Sequence, residues 1–300
     1  MKQIVVFALS AVLMLATSCS RPHYDRFLTG QDSIILTNPK LVLQNLEEVN
    51  PHDYKGRDEA YYNLLLTMAR DKNFYRFEDD SLISASQKWF CHSHDLYNQA
   101  RSTLYLGLVR YRIDTRDGTV PELLLEAGRL FDESGSNELS VPALIESYLG
   151  LVYNSSSDWK NAEIHQRKCV SLNRRRRDSS NLVSSLIDLS KTMLSTQRYD
   201  EARRYLDSAG FILDAGKGME YEERYITSMA QYLFYVKDYD ASLEWTRRWV
   251  PAKGFESRKD QLLSRVFQKL GGIDSAIIYK QMAIDTRRQD DSLYYHLHIR

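Results

Sequence analysis

The chain has 300 residues, with 40 lysines and arginines against 40 aspartates and glutamates, so its formal net charge is zero. Apolar residues make up 43% and charged residues 27% of the sequence, a balance that excludes a disordered chain and a protein with many membrane-spanning helices. The lack of a basic excess argues against a dedicated nucleic-acid-binding protein, and three cysteines are too few for a disulfide framework.

The first twenty residues have the organisation of an export signal. Lys2 precedes a 13-residue apolar stretch, 4–16, which is interrupted only by Ser10 and is too short to cross a bilayer as a helix. Small residues then lead to Cys19, an arrangement that resembles the lipobox of bacterial lipoproteins. The resemblance implies cleavage before Cys19 and acylation of its thiol and new amino group, which would attach the mature chain to a membrane. A plain secretory signal peptide cut near Ser18 is the alternative.

We therefore expect a signal peptide over 1–18, a tether over 19–31 and a helical domain over 32–300. Apolar residues recur at helical spacing after the tether and β-type alternation is rare, which predicts an all-α fold. Capping residues and prolines, such as Asn38-Pro39, mark helix starts. The predicted helices are 39–49, 58–71, 80–92, 96–113, 121–133, 142–155, 158–173, 180–196, 199–213, 221–236, 239–250, 257–270 and 273–287.

An internal repeat relates the helices in the second half of the chain. A large apolar residue, two mostly polar residues and a small residue recur at 159–162, 199–202, 239–242 and 273–276. The small residues, spaced 40, 40 and 34 apart, are Ala162, Ala202, Ser242 and Ala276. A large residue followed by a small one recurs in the helix before each copy, at Leu149-Gly150, Leu189-Ser190, Met229-Ala230 and Leu263-Ser264.

This pattern resembles the tetratricopeptide repeat, a pair of antiparallel helices with a period of 34 residues. The resemblance implies an α-solenoid, a right-handed superhelix of stacked helical hairpins whose first helices line an inner groove. Small residues at the repeated positions let neighbouring helices approach closely, and large apolar residues fill the space between them.

Residues upstream of the repeats resemble a narrower group of proteins. Asn38-Pro39, 61–66, 70–72 and 80–83 are similar to the corresponding stretches of tetratricopeptide-repeat lipoproteins and membrane sensors of Bacteroides-type bacteria. Longer members of that family continue into a transmembrane helix, a coiled coil and sometimes a DNA-binding domain. The resemblance implies a role as a sensor or as an accessory to an assembly in the cell envelope.

The sequence contains no known catalytic, metal-binding or phosphate-binding motif. The best metal-ligand candidate is Cys91-His92-Ser93-His94, which lacks the second ligand pair that a zinc site requires. We expect a polar connector there, a buried packing role for Cys169, and no metal, cofactor or catalytic step. A Cys91–Cys169 disulfide is the alternative for the two thiols.

The first helix of each hairpin supplies the predicted partner-binding surface. The candidates are Arg101, Tyr111, Arg112, Asn154, Lys191, Arg224, Gln231, Tyr235, Arg258, Arg265 and Lys269. This set is basic, aromatic and amide in character, which favours an extended peptide with acidic groups over a neutral ligand. An ordinary hydrated surface is the alternative. Four arginines at 174–177 form either a solvated connector or a contact for acidic lipid headgroups or an acidic partner.

These observations predict a lipid-anchored scaffold in the cell envelope, on the periplasmic side or at the outer membrane. It would bind a protein or peptide partner, without nucleic acid. One alternative is the sensor or receptor part of a transcriptional regulator that contains such repeats. Another is a glycan-binding lipoprotein of the SusD type, although that class carries large insertions that this sequence lacks.

Overall fold

The computed structural model describes residues 24–251 and 256–298, with side chains as far as residue 287. These ranges contain fourteen α-helices, two short 3-10 helices and no β-strand, which confirms the all-α prediction. None of the helices described is both long and apolar enough to span a bilayer. The α-helices are α1 (Arg26–Ile34), α2 (Pro39–Glu48), α3 (Arg57–Lys72), α4 (Ser81–Phe90), α5 (Leu96–Ile113), α6 (Val120–Glu133), α7 (Ser140–Ser155), α8 (Trp159–Arg176), α9 (Ser179–Ser195), α10 (Tyr199–Asp214), α11 (Glu222–Tyr235), α12 (Tyr239–Arg248), α13 (Glu256–Lys269) and α14 (Ile273–His298). The 3-10 helices are Pro51–Asp53 and Met219–Tyr221.

Consecutive helices pack as antiparallel hairpins within two compact units. The first unit, Met1–Ser136, contains α1–α6, and the second, Asn137–Arg300, contains α7–α14. In the first unit α3 pairs with α4 and α5 with α6, while α1 and α2 both lie against α3. In the second unit the hairpins α7–α8, α9–α10, α11–α12 and α13–α14 each contact the next one. Each unit thus has the stacked-hairpin architecture that the repeat predicts.

The predicted helices correspond one to one with α2–α14, and the largest difference in boundaries is at α14, which continues to His298 instead of ending near 287. At the other end, residues 26–31 belong to α1 and not to a tether. Asp25 caps α1 by accepting hydrogen bonds from the N–H groups of Phe27 and Leu28, and the Leu28 side chain is fully buried. A helix of nine residues is marginal alone, so its packing on α3 stabilises it. Residues 19–23 of the predicted tether, including Cys19, lie outside the described residues.

The turn inside each hairpin of the second unit has the same backbone geometry. The second residue after the end of the first helix adopts a left-handed conformation with φ of 60–80°, at Ser157, Gln197, Lys237 and Gly271. The N–H of the next residue then donates to the carbonyl five residues earlier, at 2.8–2.9 Å in all four turns. This Schellman arrangement satisfies carbonyls that the helix end would leave unpaired. Because it recurs with the repeat, local hydrogen bonding ends the first helix at the same place in each hairpin.

Aspartates begin two of the helices that follow such turns, and a third aspartate begins the first helix of a hairpin. Asp158 and Asp238 cap α8 and α12 by accepting hydrogen bonds from the N–H groups of Asn161, at 3.1 Å, and Ala241, at 3.2 Å. Asp178 caps α9 in the same way. A carboxylate at this position pairs with free N–H groups and with the positive end of the helix dipole, so the sequence fixes both sides of the connection.

The repeated small and large residues form the interior of the second unit. The repeated small residues, all buried, are Ala162, Ala202, Ser242 and Ala276. Leu149 and Leu189 are 2% and 1% exposed. A Cβ atom at Gly150 would lie 2.6 Å from Cγ of Gln166 on α8, so glycine at this position allows the two helices of the hairpin to approach closely.

Candidate functional site

The first helices of the second unit lie side by side. Helix α9 contacts both α7 and α11 directly, so side chains on their shared surface come within reach of one another. Eight of the predicted binding residues fall on α7, α9, α11 and α13, namely Asn154, Lys191, Arg224, Gln231, Tyr235, Arg258, Arg265 and Lys269. We call the surface formed by these eight residues the first-helix face.

Two cations surround one carboxylate where α9 meets α11. Nη2 of Arg224 donates to Oδ1 of Asp188 at 2.6 Å, and Nη1 donates to Oγ of Ser184 at 2.8 Å. Nζ of Lys191 lies 3.6 Å from the same Asp188 oxygen. Asp188 is buried, whereas the side chains of Arg224 and Lys191 are 38% and 39% exposed. The cluster therefore presents an excess of positive charge at an accessible surface, which favours a negatively charged ligand group.

The protonation of Lys191 depends on its surroundings. Desolvation lowers the pKa of the Lys191 ammonium, the Asp188 carboxylate opposes this change, and repulsion from Arg224 adds to it. A negative group supplied by a ligand would offset both the desolvation and the repulsion. Lys191, whose Nζ atom lies 3.6 Å from Asp188, would therefore be stabilised in its charged form by an added negative charge.

Hydrogen bonds connect Asn154 to the interior of the unit. Nδ2 of Asn154 donates to Oγ1 of Thr192 at 2.9 Å, and this hydroxyl donates to Oε1 of Gln166 at 2.7 Å. Thr192 and Gln166 are both buried. The chain of bonds links α7, α9 and α8 in that order, and it holds Asn154 in a defined orientation at the edge of the first-helix face.

Aromatic and basic groups extend the face from α11 to α13. Tyr235 is 48% exposed, and its ring centre lies 6.1 Å from that of Phe234. The guanidinium carbon of Arg265 lies 4.5 Å from the centre of the Phe234 ring, a cation–π contact that holds this arginine close to Tyr235. Further exposed residues of the face are Gln231, Arg258 and Lys269.

The three candidates in the first unit, Arg101, Tyr111 and Arg112, have different surroundings. Arg101 is only 3% exposed, and its Nη1 and Nη2 donate to the two oxygens of Asp32 at 2.8 and 2.5 Å. It is therefore a structural residue and not part of an exposed surface, in contrast to the prediction. The side chain of Arg112 is 38% exposed, and its Nε atom lies 2.6 Å from Oδ1 of the buried Asp71. Tyr111 is half-buried.

The predicted set lacks two members of the charged cluster, Ser184 and Asp188. Selection by repeat register favoured positions that face outward, whereas Asp188 lies beneath Lys191 and Arg224. The spacing of Asp188 and Lys191, three residues apart on one helix, was the signal that could have identified the acid.

The Cys91-His92-Ser93-His94 segment forms the predicted polar connector after α4, with Cys91 exposed and its Sγ atom 3.1 Å from Nδ1 of His92. Among the residues whose side chains are described, no three potential metal ligands come together. Cys91 and Cys169 are both free thiols. Burial raises the pKa of the Cys169 thiol to about 12, so this thiol stays protonated at neutral pH and packs as a small apolar group.

No protein-family model matches the sequence, and no curated protein matches it either. Several solved structures share the fold at low sequence identity. The apo form of RapI has a TM-score of 0.60 and 14% identity, over 89% of this chain and 98% of that one. A Rap protein complexed with Competence and Sporulation Factor has a TM-score of 0.60 and 13% identity, over 94% and 92%. Aspartyl phosphate phosphatase F from Bacillus subtilis has a TM-score of 0.61 and 11% identity, over 93% and 87%. These likenesses, together with the stacked hairpins, establish a tetratricopeptide-like α-solenoid fold.

Proposed function

We propose that this protein is a scaffold that binds a protein or peptide partner along the first-helix face, with Lys191 and Arg224 recognising acidic groups of the partner. The observation that carries the proposal is the cluster between α9 and α11, in which two partly exposed cations share one buried carboxylate. In a chain of zero net charge, this local excess attracts a complementary acidic segment.

The other residues of the face suit an extended segment. Asn154 and Gln231 carry amide groups that can exchange hydrogen bonds with a peptide backbone, and Tyr235 offers a rigid apolar surface. Hydrogen bonds and packing already hold several of these side chains, so little conformational entropy is lost on binding. A Rap protein of the same fold was solved as a complex with Competence and Sporulation Factor, which supports a role in binding a partner.

Site-specific photo-cross-linking in cells that express the full chain tests this proposal. A photoreactive residue at Gln231, on the first-helix face, should form an adduct of defined mass with the partner. The same group at Phe211, which is 78% exposed on α10, should not form this adduct.

Lys191→Gln should reduce the adduct formed from Gln231 about tenfold, because the remaining cation is already paired with Asp188. Lys217→Gln, in an exposed connector, serves as the control for charge. Equal adducts from both positions, or an adduct unaffected by Lys191→Gln, would argue against the proposed face.

Defined peptides test the charge preference separately. A fluorescent peptide that contains several aspartates and glutamates should bind the full chain, and its counterpart with asparagine and glutamine should bind about tenfold more weakly. The difference should shrink at high salt, because ions screen a partly exposed pair. Preference for the neutral peptide in fluorescence anisotropy would contradict the role given to Lys191 and Arg224.

We further propose that Cys19 attaches the protein to a membrane of the cell envelope. The support is the sequence pattern at 1–19, since these residues lie outside the part of the chain that the structure describes. Only residues 20–25 separate Cys19 from α1, and six extended residues reach about 20 Å. An acylated Cys19 would therefore hold the first unit close to the membrane surface.

Replacing Cys19 with serine tests the anchor. Cys19→Ser should move the protein from the membrane fraction to the soluble fraction, because the acyl chains supply the membrane affinity. Cys91→Ser removes an exposed thiol elsewhere in the chain and should leave the distribution unchanged. Mass spectrometry of the N-terminal peptide should show acylation of the wild type. Membrane association that persists in Cys19→Ser would refute the anchor.

A further inference from the structure

The last hairpin, α13–α14, exposes a stripe of apolar side chains. Ile273, Ile277 and Ile284 of α14 are 55%, 61% and 39% exposed. Their spacing of four and seven residues places them on one side of the helix. Leu270, in the turn before α14, is 38% exposed and extends the apolar surface. Exposed apolar side chains grouped on one side of a helix are a feature of binding surfaces.

In the preceding hairpins, the position of Ile277 contacts the next hairpin. The repeat register equates Ile277 with Glu163, Arg203 and Leu243. Glu163 of α8 accepts a hydrogen bond at 2.5 Å from Arg198, in the hairpin that follows. The guanidinium carbon of Arg203 in α10 lies 5.8 Å from the ring centre of Tyr232 in α11. Leu243 of α12 packs against the apolar cluster that contains Leu262 of α13.

In two earlier hairpins, the residue equivalent to Ile284 also contacts the first helix of the next hairpin. Its equivalent in α8 is Val170, which is buried in a cluster with Val183 and Leu186 of α9. Its equivalent in α10 is Gly210, where an added Cβ atom would overlap the side chain of Tyr225 in α11. On α8 and α10, therefore, the first helix of the next hairpin covers this side of the second helix. On α14 the same side is exposed.

We propose that the stripe formed by Ile273, Ile277 and Ile284 is a docking surface for an amphipathic helix of a partner protein. That helix would lie on α14 as α13 lies on α12, because the interface between hairpins continues onto this surface. It would carry apolar residues four and seven apart. Exposed Lys280 lies seven residues after Ile273 and four before Ile284, on the same side of α14 as the stripe, so the partner helix would place an acidic residue opposite it.

A second copy of this chain is a poorer occupant. In the second unit, α9, α11 and α13 are already packed between neighbouring hairpins and are not free to cover α14 of another molecule. Two copies of α14 paired in antiparallel fashion along the stripe would bring their Lys280 side chains close together, which like-charge repulsion disfavours. This surface lies on the second helix of the last hairpin and is independent of the first-helix face.

A helical peptide with the sequence of α13, Glu256–Lys269, is a suitable probe, because α13 covers the apolar Leu243 that corresponds to Ile277. The peptide is fluorescein-labelled, and a cross-link between positions 261 and 265 keeps it helical in water. Titration with the full chain should give saturable anisotropy with a Kd of about 10–100 µM. The double variant Ile277→Asp/Ile284→Asp should weaken binding at least about tenfold, because it places two charges in an apolar contact. Phe211→Asp, which places a charge at another exposed apolar residue, should leave peptide binding unchanged.

Three outcomes would overturn the proposal. One is the absence of saturable binding by the wild type. The second is equal binding by Ile277→Asp/Ile284→Asp, as expected if the peptide merely displaced the resident α13. The third is a dimer of the wild-type chain in sedimentation velocity that the double variant abolishes, which would make a second copy the occupant. Circular dichroism should show unchanged helix content, since both substituted positions are exposed.

Discussion

At the scale of single residues, the pair formed by Arg101 and Asp32 holds α1 in the first unit. Besides the two bonds from Arg101, Asp32 accepts a hydrogen bond from the hydroxyl of Tyr61 on α3 at 2.6 Å. Burial would raise the pKa of Asp32, but attraction to Arg101 and the hydrogen bonds from Arg101 and Tyr61 lower it below its usual value. Asp32 is therefore charged at neutral pH, and its charge stabilises the folded state.

Replacing Arg101 with methionine should lower the free energy of unfolding by about 3 kcal/mol. The substitution leaves Asp32 charged and without its cation. The loss of stability is at the lower end of the range for broken buried ion pairs, because the Asp32 side chain is 23% exposed. Denaturant unfolding at neutral pH measures the loss. Arg101→Lys keeps the positive charge but not the two parallel N–H donors of arginine, so it should lower the free energy of unfolding by less than Arg101→Met does.

The effect should also depend on pH. Because the folded-state pKa of Asp32 is lowered, its stabilisation is present above about pH 4 and is lost as the pH falls through the folded-state pKa. In Arg101→Met the protonated Asp32 needs no cation, so the difference in stability from the wild type should narrow as the pH falls from 7 to about 3. A difference that is constant over this range would mean that lost packing, not the charge, causes the destabilisation.

The role of Arg101 also shows what repeat register leaves out. Register places Arg101 at a position that faces a groove in an ideal repeat, and no local pattern indicates an acid opposite it. Asp32, the acid that pairs with it, lies 69 residues earlier, in α1. The packing of that short helix on α3 is a tertiary effect, because nine residues lack the local hydrogen bonds to form a stable helix alone.

At the scale of elements, the left-handed residue in each hairpin turn sets where the first helix ends. Gly271 takes this conformation without strain, whereas Ser157, Gln197 and Lys237 carry a Cβ atom that makes it unfavourable. The backbone bond from the next N–H forms in all four turns, so the hydrogen bonding outweighs the cost of the conformation. The sequence indicates the turn through its position in the repeat more than through its residue type.

Lys237→Gly should stabilise the protein by about 0.5–1 kcal/mol, because φ is 68° at this position and glycine adopts that value freely. Gly271→Ala should destabilise it by about 1 kcal/mol, since φ is 80° there. Thermal unfolding of both variants measures the two effects. Lys237→Ala controls for the loss of the lysine side chain and should lie close to the wild type. A Lys237→Gly variant less stable than Lys237→Ala would show that backbone conformation does not limit this turn.

At the scale of the whole molecule, stability within each unit comes from contacts between neighbouring hairpins. Leu189 of α9 belongs to a buried cluster that also includes Val170 of α8 and Ala209 of α10. Each such cluster connects one hairpin to the next, as expected for a stack in which each hairpin contacts only its neighbours. A change in one cluster should therefore weaken the nearest hairpins most.

Leu189→Ala should lower the free energy of unfolding by about 3 kcal/mol, because it leaves a cavity at a residue that is 1% exposed. Hydrogen exchange should increase most in α8–α10 and less in α13 and α14. Leu125→Ala, at a leucine that is 50% exposed, should change stability by less than about 0.5 kcal/mol. A uniform rise in exchange along α7–α14 would contradict coupling between nearest neighbours.

The sequence by itself determined α2–α14, their pairing and the register of the repeat, because helix periodicity, caps and small residues at fixed spacing are local properties of the chain. Only the tertiary structure decided that Arg101 is buried, that Asp188 lies beneath Lys191 and Arg224, and that the isoleucine stripe of α14 has no covering helix among the described residues. These features depend on contacts between residues far apart in sequence. Such contacts set how deeply a residue is buried and which partners other helices supply, and a local pattern such as the spacing of Asp188 and Lys191 encodes neither.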